Sequence, residues 1–218
     1  LSIGYNVGDQ RLDASYYDLL ASEARLTYYV AVAQGQIPQE SWFALGRLLT
    51  ADFGQRTLLS WSGSMFEYLM PLLVMPAYDE TLLDETCKGA VKAQQRYAAI
   101  QGVPWGISES GYNLRDGQHN YQYRAFGVPG LGLQRGLGEN LVLAPYATAL
   151  ALMVDPDAAL GNLRELSRRG LSGRYGMYEA VDYTAVRLPR GQDSEIIFSY
   201  MAHHQGMTLL SLANLLHN

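Results

Sequence analysis

The final stretch, SEIIFSYMAHHQGMTLLSLANLLHN (194–218), constrains the fold more than any other. As one long helix it is apolar on nearly every face, and a helix of that kind is expected to be buried all round. The rest of the chain must then supply the elements that cover it. LDASYYDLLASEARLTYYVAVAQG reads as a helix with Asp13 as N-cap, Gly35 as its stop, and Tyr16, Leu19, Leu20, Leu26 and Val30 at helical spacing. PQESWFALGRLL reads as a second, with Pro38 in its first turn. SMFEYLMPLLVM is a short apolar helix closed by Pro76, and TLLDETCKGAVKAQQRYAAIQG a long amphipathic one ended by Gly102. NLVLAPYATALALMV follows, then DPDAALGNLRELSRRG with Asp155 as N-cap and Pro156 at the first helical position. RTLLSWSG reads as extended, while Pro104 to Gly138 and GRYGMYEAVDY read as irregular, Gly- and Tyr-rich connections.

About seven helices joined by long loops predict an all-α domain, a bundle or an α/α toroid, its functional loops gathered at one end. The helices are too few to close such a ring, and both ends of the chain look cut. The expectation is therefore one segment, 1–218, of a larger domain. At 48% hydrophobic it has the apolar content for a sizeable core. The net charge of -5 without a basic run argues against a nucleic-acid partner. No run is long and apolar enough to span a membrane, and no signal peptide opens the chain. Cys87, the single cysteine, cannot form an internal disulfide and fits a reducing compartment.

The chemistry is carried by carboxylates in unusual settings. On a continuous first helix Glu23 falls inside the apolar stripe, where a charge must be paired or put to use. A structural ion pair to Arg25 or Arg47 and a site carboxylate facing a cleft both fit. Glu67 is the only charged residue between Trp61 and Tyr78, so it is either a satisfied core acid that orients a loop or a second site acid. Glu109, in VPWGISESGYN, sits on a loop where Trp105 could shield it and raise its pKa, as for a general acid. Ser108 and Ser110 could hold that turn. Glu179 and Asp182 lie among Tyr175, Tyr178 and Tyr183, a setting that suits gripping sugar hydroxyls or capping a helix.

Other constellations are weaker. Asp9, Asp13 and Asp18 lack the glycine and terminal glutamate of a calcium loop. His203 and His204 are adjacent, so on a helix they diverge by about 100° and make a poor metal clasp; with Gln205 they could instead hydrogen-bond a ligand. Ser64 and Cys87 lack a nucleophile motif, and no phosphate-binding glycine loop is present. No cofactor and no metal is expected. Carboxylates amid tryptophan and 16 tyrosines match the requirements of glycoside chemistry.

At these residues the chain resembles a known family. LDASYYDLLASEARLTYYVAVAQGQIP, WSGSMFEYLMP, VPWGISESGYN, YQYRAFGVPGLGL, LVLAPYATALAL, GRYGMYEAVDYT and MAHHQGMTLLSLANLLH closely resemble, in order, the glycoamylase-like domain of bacterial cyclic β-1,2-glucan synthases. The resemblance implies an (α/α)6 toroid, of which this chain would be a large part, with short strands in the loops. It also implies a retaining transglycosylase that cyclises a linear β-1,2-glucan. The neighbours would be glycosyltransferase and phosphorylase-like domains of the same polypeptide, and the place the cytoplasmic side of the inner membrane. Retention requires carboxyls about 5–5.5 Å apart, against about 6.5–9.5 Å for inversion. The expected roles are Glu109 as acid/base and Glu23 as nucleophile, with Glu67 in reserve for either. Trp61, Trp105, Tyr112, Tyr121, Tyr123, Tyr175 and Tyr178 are candidate sugar-stacking walls. A β-1,2-glucan hydrolase with the same site, a non-catalytic glucan-binding module and a purely structural scaffold are the alternatives.

Overall fold

The computed structural model of the protein describes residues 1–51 and 54–217. Among them the helices are α1 (Arg25–Ala33), α2 (Glu40–Phe43), α3 (Met65–Leu69), α4 (Leu82–Gln101), α5 (Pro145–Leu150), α6 (Pro156–Leu166) and α7 (Ala202–His217), with short 3-10 turns between them. Local signals place several ends. Thr81 accepts from the Asp84 N–H to start α4, and Gly102 closes it in the left-handed conformation (φ 70°). Asp155 accepts from Ala158 N–H at the head of α6, where Pro156 sacrifices no hydrogen bond.

The all-α expectation is overturned. The chain is about 41% helical with about 18% strand, the strands gathered in five small sheets among the described residues. β1 (Tyr5–Asn6) pairs with β2 (Arg11–Leu12), and β3 (Leu49–Thr50) with β4 (Thr57–Leu58). β5 (Ser110–Arg115) and β6 (Tyr121–Arg124) form a hairpin inside the stretch expected to be irregular. Asp116 ties its turn, accepting from the N–H groups of Gln118 and Asn120. β8 (Ser172–Gly173) pairs with β9 (Gly176–Met177). β10 (Ala180–Asp182) is the middle of a three-stranded antiparallel sheet between β7 (Val142–Leu143) and β11 (Glu195–Ile197). Val181 faces Leu143 on one side and Ile196 on the other. Strands of two or three residues are too short to display period-two alternation, and β7 finds its partner β10 far along the chain.

Two helix readings are corrected as well. The first helix begins only at Arg25. The residues before it are drawn into main-chain pairing instead, Ile3 N–H to Ser15 O, Asp13 N–H to Gly4 O and Leu20 N–H to Gly46 O. Glu23 therefore sits in the turn that enters α1, not in a helical stripe. The C-terminal run is split between β11 and α7, and α7 is not buried all round. His204, Met207 and Ser211 face inward, while Leu209, Leu210, Leu212, Leu215 and Leu216 are exposed. Asn218, the last residue of that run, lies outside the described residues.

The buried centre is α5, every residue of which is inaccessible to solvent, packed against α3, α6 and α7. Around it lie Leu58, Met65, Tyr68, Leu69, Ile107, Leu143, Leu166 and Ile197. Each such large apolar side chain contributes about 1.5–3 kcal/mol on burial. Gly106 lets the loop before Glu109 press onto α5: its φ is +121°, and a Cβ there would stand 2.7 Å from Thr148 Oγ1. The same loop is clamped by Asn162 and Thr148, which bond both main-chain polar groups of Trp105.

Candidate functional site

A cavity of about 570 Å³ opens between the segment before α1, the loop before α3 and the start of β5. Glu23, Glu67 and Glu109 all line it, with Trp61, Phe66, Tyr16 and Tyr17. Three carboxylates separated in sequence thus share one space, and their surroundings differ.

Glu67 is held by the loop it faces. Its carboxylate accepts from the N–H groups of Trp61, Ser62 and Ser64 and from the hydroxyls of Ser60, Ser62 and Ser64, at 2.6–3.2 Å. With Ser64 it forms the capping box of α3, which makes it an organiser of the serine loop. The loop is pressed from outside by the segment 125–133. Val128 N–H donates to Gly63 O and Ser60 N–H to Leu131 O. Gly127 permits this contact, since a Cβ there would collide with the Ser62 carbonyl.

Glu23 is half-buried. The ion pair weighed for it does not form: Arg25 turns its buried guanidinium to the carbonyls of Ser22, Glu67 and Tyr68, at 2.6–3.0 Å. This arrangement staples the Glu23 turn to α3. Ser22 Oγ donates to Glu23 Oε2 at 3.2 Å. Burial raises the pKa of Glu23 above its ordinary value, and the charge of Glu67 adds to the rise.

Glu109 immediately precedes β5. Burial is again the main cause raising its pKa, the charges of Glu23 and Glu67 push the same way, and a hydrogen bond from Tyr123 with the charge of His204 opposes them. Its main-chain carbonyl accepts from the Tyr146 hydroxyl at 3.0 Å. Ser108 holds the turn as expected, accepting from Phe66 N–H at 3.1 Å and bonding Tyr146 Oη at 2.8 Å. Ser110 Oγ is buried without a hydrogen-bond partner among the described residues. Trp105 is part of the core and does not line the cavity.

The remaining candidates fall into four groups. Trp61 stands at the cavity, 61% exposed. Glu179 and His204 are buried together behind it, His204 Nδ1 2.9 Å from Glu179 Oε2, with His203 and Tyr123 alongside. Tyr178, Gln205 and Tyr175 border a second, smaller hollow on the far side of His204, where Gln205 donates to Met177 O at 3.0 Å. Asp182 serves the fold, fully buried in an ion pair with Arg187 and accepting from Asn113 N–H. Tyr112 packs edge-on to Phe126 under the Arg187 guanidinium, and Tyr121 lies under that of Arg115. Among the described residues no group of His, Cys, Asp or Glu is placed to hold a metal ion.

Sequence reasoning missed Tyr146, Ser62 and Arg25. Tyr146 was detectable as the one aromatic hydroxyl within an apolar helix, a group that must find a buried partner. Arg25 was weighed only as a partner for Glu23, because main-chain carbonyls from 42 and 43 positions away carry no local signature.

Comparison with known proteins places the chain in context. A family model described as "Putative glucoamylase" matches residues 15–218. The chain is 50% identical over all 218 residues to the cyclic β-(1,2)-glucan synthase of Rhizobium meliloti (strain 1021), of which it spans 8%. An endo-β-1,2-glucanase from Chitinophaga pinensis, solved with sophorotriose and glucose, superposes on 99% of the chain with a TM-score of 0.63 at 17% identity, over 52% of its own length. A structure described as a "putative glucoamylase", from Bacteroides caccae, superposes on the whole chain with a TM-score of 0.66 at 15% identity, over 54% of its length. At such identities the likeness is one of fold. The chain spans about half the length of these two structures.

Proposed function

The chain belongs to the glycoamylase family, and from that premise we propose that it processes β-1,2-glucan by retaining transglycosylation, closing a linear chain into a ring. The observation that carries this reading is the shared cavity: two half-buried carboxylates with raised pKa values, Glu23 and Glu109, face one aromatic-lined space. The identity to the Rhizobium meliloti synthase supports the substrate.

In this proposal Glu109 protonates the leaving 2-oxygen, and Glu23 attacks the anomeric carbon to form a glycosyl-enzyme. Glu109 then takes the proton of an incoming 2-hydroxyl from the far end of the same glucan, and the C–O bond to Glu23 breaks. Two inversions leave the β-configuration intact. Glu67 is the less suitable nucleophile, because its oxygens are already engaged by six donors of the serine loop. The aromatic side chains of Trp61, Phe66 and Tyr17 hold sugar faces and limit water around the intermediate. The chain works as one portion of a larger synthase, beside glycosyltransferase and phosphorylase-like domains at the cytoplasmic side of the bacterial inner membrane. No helix of its described residues is long and apolar enough to cross that membrane.

Hydrolysis in the same site, with water as acceptor, is the second reading, favoured by the fold likeness to an endo-β-1,2-glucanase. The test is to incubate the full-length protein with linear β-1,2-glucan and determine product size and anomeric form. Rings without new reducing ends support cyclisation. Reducing oligosaccharides support hydrolysis, and no turnover of any glucan overturns both.

A further inference from the structure

We infer that Tyr123, His204 and Glu179 are positioning residues for Glu109, a hydrogen-bonded chain behind the cavity wall that orients its carboxyl. The inference rests on the proposed role of Glu109 as the residue that gives and takes the proton.

The geometry is continuous. Tyr123, on β6, lies beside the Glu109 carboxyl and acts on it through its hydroxyl. Its oxygen is 3.3 Å from His204 Nε2, and His204 Nδ1 is 2.9 Å from Glu179 Oε2. The other Glu179 oxygen accepts from Gly111 N–H at 3.1 Å. Gly111 is two residues beyond Glu109, so the chain closes on the strand that follows the acid. Tyr146 lies flat on the imidazole, ring centroids 3.7 Å apart and planes 12° apart, and donates to the Glu109 main-chain carbonyl. The ring of His204 therefore has no freedom to turn away.

When Glu109 is ionised, Tyr123 can donate to it; when Glu109 holds its proton, it can donate to Tyr123. The charged and titratable groups facing Glu109 are Glu23, Glu67, Tyr17, Tyr123, Tyr146 and His204; those facing His204 are Glu179, Glu109, Tyr123, Tyr146 and His203. Of the groups acting on Glu109, Tyr123 and His204 are the two that favour its anion.

The test is the pH profile of kcat/KM for full-length protein on linear β-1,2-glucan, comparing Tyr123→Phe and Glu179→Gln with the parent. Removing the Tyr123 hydroxyl removes a donor to the anion, and neutralising Glu179 weakens the contact that holds His204 against Tyr123. Both should move the alkaline limb, on which Glu109 loses its proton, upward by about half a unit or more. The acid limb should stay in place. An alkaline limb that stays or moves down in Tyr123→Phe overturns the inference, even if kcat falls, because a merely structural role would lower the rate without moving the limb. Tyr123→Phe keeps the ring at a part-exposed position, so it decides the matter should Glu179→Gln fail to fold. Glu109→Gln measured alongside separates the two layers: retained turnover there overturns the acid/base assignment itself.

Discussion

The Ser62 hydroxyl donates to Glu67 Oε2 at 2.6 Å, the shortest of the hydrogen bonds from six donors that commit the Glu67 carboxylate to the loop before α3. Glu67→Gln presents an NH2 group to donors that require an acceptor. It should destabilise the protein by about 2–3 kcal/mol, read by chemical denaturation. A variant of unchanged stability would show that these contacts contribute little.

Glu109→Gln should behave in the opposite way. Turnover should fall by about 10²-fold or more, the usual share of a general acid. Stability at neutral pH should rise. The folded-state pKa lies above the ordinary 4.5, so between that value and the raised one the folded state holds more protons than the unfolded chain. Stability then falls as pH climbs through the window, and an uncharged glutamine escapes the loss. Melting temperatures of the two proteins should converge below pH 4.5 and separate above it. Separation in the other direction would contradict the burial cost assigned to this carboxyl.

Arg25→Lys should harm both stability and turnover. The guanidinium reaches three carbonyls on two elements, and an ammonium cannot span them. A loss of about 2 kcal/mol or more is expected, with kcat reduced because the turn that carries Glu23 is no longer fixed to α3. An effect on KM alone would contradict the stapling role.

Trp61→Ala tests the aromatic wall. The side chain is largely exposed at the cavity, so stability should change by no more than about 0.5 kcal/mol. The loss of sugar stacking should raise KM roughly tenfold. Unchanged steady-state kinetics would remove Trp61 from the binding surface.

Legibility of the fold followed the range of the interaction responsible. α4 and α6 were readable because Gly102 and Asp155 act on their own helix within a few residues. The sheet of β7, β10 and β11 was not, because Val181 finds its partners at Leu143 and Ile196 and nothing nearby announces them. Glu23, Glu67 and Glu109 were marked out by type and surroundings, and the fold does bring them to one cavity. The helical-phase argument for Glu23 was wrong even so, since main-chain pairing of the first residues delays α1 until Arg25. Separating the three acids needed their three-dimensional surroundings: a loop of serines folded onto Glu67, and a distant tyrosine–histidine pair behind Glu109.

The chain behind Glu109 also sets an order of events in time. Tyr123 and His204 are 81 positions apart, and Gly111 and Glu179 are 68. Contacts at such separations carry the loop-closure cost that slows folding, and a nascent polypeptide carries Glu109 well before it carries His204. In the arrangement inferred for Glu109, its carboxyl is oriented only once α7 has docked against α5.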